Sequence, residues 1–79
     1  MKNLTWKEED NSLKKTLVFK DFQSAFAWMT HAAFIMEKFN HHASWTNTYN
    51  KVELVLNTHD AGNTITQKDW DLAAALDKI

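Results

Sequence analysis

One glycine and no proline in 79 residues leave this chain few ways to build long irregular segments. Its elements must therefore follow one another through short turns. The longest uninterrupted stretch is "FQSAFAWMTHAAFIMEKF", residues 22–39, with four alanines and no breaker. Apolar residues recur there at helical spacing. Phe22, Ala25, Phe26, Met29, Ala33 and Met36 form the expected core stripe, flanked by Trp28, Ile35 and Phe39. Asp21 is placed to accept an orphan N–H at the start, and Asn40 to close the end in the left-handed conformation.

Strand patterns lie on either side. Residues 3–8, "NLTWKE", read as a short strand with Leu4 and Trp6 on one side, and "DNS" as a turn. In "LKKTLVFK" the odd positions Leu13, Lys15, Leu17 and Phe19 are mostly apolar, and the even ones mostly polar. These two segments form a hairpin. Residues 44–48 and 51–57 form a second one across "YN", with Val52, Leu54 and Leu56 facing inward. "HDAGNTI" is a loop. Thr66 and Asp69 fit a capping box that opens a last helix, with Leu72, Ala75, Leu76 and Ile79 buried. The order ββαββα predicts an α+β fold: a two-layer sandwich of a four-stranded antiparallel sheet with two helices on one face, as a single domain over residues 1–79.

A domain of this size buries only about 60% of the surface its unfolded chain exposes. With no cysteine for disulfides and 44% hydrophobic residues, four of them Trp, a homodimer or homotetramer is expected. All nine basic residues are lysines and the net charge is −1, which argues against nucleic-acid contact. No apolar run approaches a membrane span, and the N-terminus lacks the apolar core of a signal peptide. A cytoplasmic protein is the expectation.

Three of the four histidines fall within "EKFNHHASWTNTYNKVELVLNTHD", residues 37–60. Glu37 and His41 are four apart, so a helix reaching that far puts the carboxylate beside the ring, where it would fix the tautomer. His42 points elsewhere. His59 follows a strand whose antiparallel return can bring it back to the helix end. Adjacent histidines at a helix end are more often a polar terminus than a site, and Asp69 needs no role beyond the helix start. His31, between the apolar stripes, is assigned nothing.

The spacing as a whole resembles the pterin-4a-carbinolamine dehydratase family. Its signature of an acid, three residues, His-His, then an aromatic, a further His and an Asp runs here as Glu37, His41, His42, Tyr49, His59 and Asp69. "LVFKDFQSAFAWM", "YNKVELVLNTHDAGNTIT" and "DWDLAAALD" extend the likeness over roughly residues 4–79. Ala43 stands where the family usually has proline, and Lys68 where an arginine often precedes the aspartate. An N-terminal helix found in some members is expected to be absent.

The resemblance implies a hydro-lyase with a pterin substrate and no cofactor or metal. It would dehydrate 4a-hydroxytetrahydropterin to quinonoid dihydropterin in tetrahydrobiopterin-type recycling, in the pathway of an aromatic amino acid hydroxylase. His41 and His59 would be the acid–base pair and His42 would bind substrate. Glu37 would orient His41, and Asp69 would support His59. Trp45 or Tyr49 could wall the flat ring. Two other classes compete: a protein–protein interaction module, which would tolerate loss of its histidines, and a weak metal site from Glu37, His41 and His59.

Overall fold

The structure is a computed structural model and describes residues 6–79. Leu4, placed on the first strand by the alternation, lies outside the described residues. The elements are β1 (Lys7–Glu9), β2 (Ser12–Val18), α1 (Phe22–Phe39), β3 (Ser44–Thr48), β4 (Lys51–Leu56), a 3-10 turn (His59–Ala61) and α2 (Gln67–Leu76). The four strands make one antiparallel sheet in the order β1-β2-β4-β3, so the ββαββα reading holds.

Local chemistry explains the boundaries. Asp10 and Asn11 both take positive φ, 54° and 58°, which is the two-residue turn whose twist matches a hairpin. The Asp21 carboxylate accepts the Ser24 N–H at 2.8 Å, and Asn40 ends α1 at φ 52°, ψ 40°. At the other helix, Asp69 accepts the Thr66 N–H at 2.8 Å within a capping box.

The core sits between the sheet and both helices. Leu13 of β2 and Val52, Leu54 and Leu56 of β4 are buried against Ala25, Ala32 and Met36 of α1 and Leu72, Ala73 and Leu76 of α2. On α2, Ala73 takes the buried place expected for Ala75, which is half-buried.

The larger correction concerns α1. Its core stripe runs through Ala25, Ala32 and Met36, with Met29 partly buried, whereas Phe22, Phe26 and Ala33 of the expected stripe are exposed. Phe34 stands 72% exposed beside them. Alanine has no bulk to hold a helix away from the sheet, so the small-residue face turns inward and the phenylalanine ridge outward.

Lys15 is the polar residue on the inner face of β2. Its side chain is only 8% exposed, and Nζ lies 2.6 Å from Asp77 Oδ1 just past α2. The Trp6 indole donates to the same oxygen at 3.0 Å. Together they tie the first strands to the end of the last helix.

Candidate active site

The β3–β4 register puts three of the histidines at one end of the hairpin. Ser44 pairs with Val55 and Thr48 with Lys51. His41 and His42, which lead into β3, therefore sit at the same end of this hairpin as Thr58 and His59, which leave β4. Tyr49 forms the turn at the opposite end, about 15 Å away along the strand, and is corrected from a candidate wall to a turn residue. Trp45 is near the histidine end, packed against the core.

Asp69 is the centre of this region. Its side chain is fully buried, yet it carries a complete set of donors. Oδ1 is 2.5 Å from His41 Nε2, while Oδ2 accepts the Thr58 hydroxyl and the Thr66 N–H, both at 2.8 Å. The Thr66 hydroxyl lies 2.6 Å from that of Thr58. Burial by itself pushes the Asp69 carboxyl up. The bond to His41, the Thr66 N–H, the Thr58 hydroxyl and the charge of His41 outweigh it and hold the group below its ordinary value.

An ionised carboxylate only accepts, so His41 Nε2 carries the proton and donates. In its neutral form His41 would present an unprotonated Nδ1, from a ring that is 12% exposed. Thr58, with its single proton given to Asp69, accepts from Thr66.

The two supporting carboxylates thus exchange the partners expected of them. Glu37 reaches His42, not His41, with 3.0 Å between Oε1 and Nε2 on an exposed surface where such pairs contribute little. The reason is Asn40: its left-handed conformation ends α1 before His41, so the spacing of four is not a helical spacing there. Asp69 meets His41, not His59. His59 is exposed, and its Nδ1 donates to Asn63 Oδ1 at 3.0 Å, leaving Nε2 outward. Among the described residues no three His, Asp or Glu side chains are grouped to share an ion. The proposed set Glu37, His41 and His59 is not assembled.

Sequence reasoning missed Thr58. Its one legible signal was a hydroxyl immediately before His59. A cavity of about 350 Å³ opens beside it, lined by Thr58, Asp60, Ala61, Thr66, Gln67 and Lys68. Lys68 brings a cation to that rim.

A linked prediction follows for Asp69. A carboxyl held below its unfolded value contributes stability that is complete above the unfolded value and lost as pH falls through the folded one. Stability of the wild type should therefore drop below about pH 4. Asp69→Asn should flatten that limb in urea melts taken from pH 6 to pH 2. An unchanged limb would show that Asp69 is not its source.

Several known proteins are similar to this chain. A family model described as "Pterin 4 alpha carbinolamine dehydratase" matches residues 1–79. A relative from Bradyrhizobium diazoefficiens, provisionally named pterin-4-alpha-carbinolamine dehydratase, is 51% identical over 69 residues, covering 87% of this chain and 68% of its own. A relative of the same provisional name from Rhizobium meliloti is 49% identical over 71 residues, covering 90% and 67%. Among solved structures, a "transcriptional coactivator/pterin dehydratase" from Brucella melitensis superposes with a TM-score of 0.87 at 36% identity, over 92% of this chain and 79% of that one. A pterin dehydratase-like protein described as a RuBisCO assembly factor of the alpha-carboxysome shares the fold, with a TM-score of 0.80 at 19% identity over 95% and 88% of the two chains.

Proposed function

Because the chain belongs to the pterin-4a-carbinolamine dehydratase family, we propose that it removes water from a 4a-hydroxytetrahydropterin to give the quinonoid dihydropterin. The observation that carries this reading is the His41–Asp69 pair, an imidazole of fixed tautomer backed by a buried, fully bonded carboxylate. The reaction needs a base for the N5 proton and an acid for the departing 4a-hydroxyl.

His41 suits the base. Its Nδ1 takes the N5 proton, and Asp69 stabilises the imidazolium that results. The N5 electron pair forms the C4a=N5 bond, and the 4a-hydroxyl leaves as water with a proton from His59 Nε2, in its protonated form. His42, free at the surface apart from Glu37, contacts the substrate. The cavity edged by Lys68 receives part of the ring system and matches small-ligand dimensions. Neither organic cofactor nor metal is required by these steps. The setting is cytoplasmic recycling of a tetrahydrobiopterin-type cofactor beside an aromatic amino acid hydroxylase.

Among the described residues no helix is long and apolar enough to cross a membrane. The exposed ridge of Phe22, Phe26 and Phe34, with a groove of about 250 Å³ against Trp45, supports a homodimer or homotetramer. The same ridge favours a second reading, an interaction module with little catalysis.

The two readings separate on enzymatically generated carbinolamine. His41→Ala and His59→Ala should each lower turnover at least about tenfold, a floor set below the usual 10²–10⁴ of acid–base contributions, with unchanged circular dichroism. Full activity in either variant removes that histidine from the mechanism. A wild type with no turnover leaves the interaction module.

A further inference from the structure

Thr58 is bonded both to the carboxylate that holds His41 and to the turn that carries His59. Its hydroxyl, 7% exposed with the rest of the residue, donates to Asp69 Oδ2 at 2.8 Å while Asp69 Oδ1 holds His41. Its backbone pairs with Thr64: the Thr58 N–H donates to the Thr64 carbonyl at 2.8 Å. Its own carbonyl accepts the N–H groups of Ala61 and Asn63 at 3.2 and 3.1 Å, closing the turn that carries His59. One residue thus fixes one histidine through its side chain and the next through its main chain.

We infer that Thr58 is a positioning residue that sets the orientation of His41, by way of Asp69, relative to His59. This rests on the dehydratase reading for its kinetic consequence, but not for its spectroscopic one. Without Thr58 the carboxylate keeps His41 at Oδ1 and, at Oδ2, the Thr66 N–H at 2.8 Å and the Thr66 hydroxyl only at 3.5 Å, an arrangement that can pivot. The Thr58 hydroxyl supplies the remaining direction and is itself aimed by the Thr66 hydroxyl at 2.6 Å. Valine is close to threonine in shape and lacks the donor, so Thr58→Val isolates the bond. Serine keeps it.

In Thr58→Val, kcat should fall about tenfold, the change that loss of one ordinary hydrogen bond brings, with KM within about twofold. Thr58→Ser should recover most of the rate. Proton NMR supplies the readout that a merely structural role would not move. In wild type the His41 Nε2 proton, bound to a buried carboxylate, should be a downfield signal protected from exchange. It should exchange faster in Thr58→Val and stay protected in Thr58→Ser. Should Thr58→Val not fold, Thr58→Ala carries the same comparison, because alanine also lacks the donor. An Nε2 proton equally protected in the valine or alanine variant overturns the inference. So does wild-type kcat in a turnover-competent protein. A wild type without turnover, with the NMR difference intact, refutes the dehydratase reading alone.

Discussion

Asp69→Asn should cost about 10²-fold or more in turnover while leaving the fold in place, up to the roughly 10⁴ that locking an imidazole in the wrong tautomer can bring. The reason is the donor count around the carboxylate. The Thr66 N–H and the Thr58 hydroxyl both point at Oδ2, so the asparagine carbonyl must take that side. Its NH₂ is then turned toward His41 Nε2, where a donor forces the ring to offer a lone pair. The ring proton moves to Nδ1, the atom that has to receive the N5 proton. The helix start survives because the carbonyl still accepts the Thr66 N–H. Steady-state assays of the variant beside a thermal melt check this. Wild-type turnover in a folded Asp69→Asn protein would exclude His41 Nδ1 as the base.

Leu54→Ala should be the most damaging single truncation in the core. Leu54 lies on β4, a central strand, is 1% exposed, and pairs in register with Lys15 on one side and Trp45 on the other. Cutting a buried leucine to alanine removes its transfer free energy and leaves a cavity, about 2–5 kcal/mol together. Domains have only about 5–15 kcal/mol in total, and this one is small. Each kcal/mol shifts Tm by about 4–8 °C at this size, so a fall of 10 °C or more is expected in calorimetry. Val18→Ala, on the open face of the sheet at 69% exposure, should stay within about 0.5 kcal/mol and serves as the control. Equal melting temperatures for the two variants would place the core elsewhere.

The partner of Glu37 is the part of the site that spacing read incorrectly, whereas that of Asp69 rested on the family resemblance. Glu37 and His41 are four apart, which on a helix means one face. Asn40, correctly read as the left-handed end of that helix, already breaks the geometry between them. The two inferences were in conflict within the sequence, and the cap prevails because a positive φ redirects every residue after it. Asp69 was legible as a helix-start residue and is one. That the same carboxylate also meets a histidine 28 residues away is a property of how α2 docks, which no local pattern encodes.

The face of α1 was misplaced for a related reason. The helix is apolar nearly all round, and the single stripe chosen by periodicity took in Phe22, Phe26 and Ala33, which are exposed. Close approach to the sheet decides the face, in favour of Ala25, Ala32 and Met36.

What the chain's own pattern determined was the element order, the caps, the inward residues of β2 and β4, and the set of histidines worth attention. Those features depend on neighbours within a few residues, where backbone geometry and period suffice. Tertiary structure alone decided that Asp69 belongs to His41, that Thr58 binds the same carboxylate, and which helix face is left open. These are contacts between elements, and their free energies depend on packing that has no local signature.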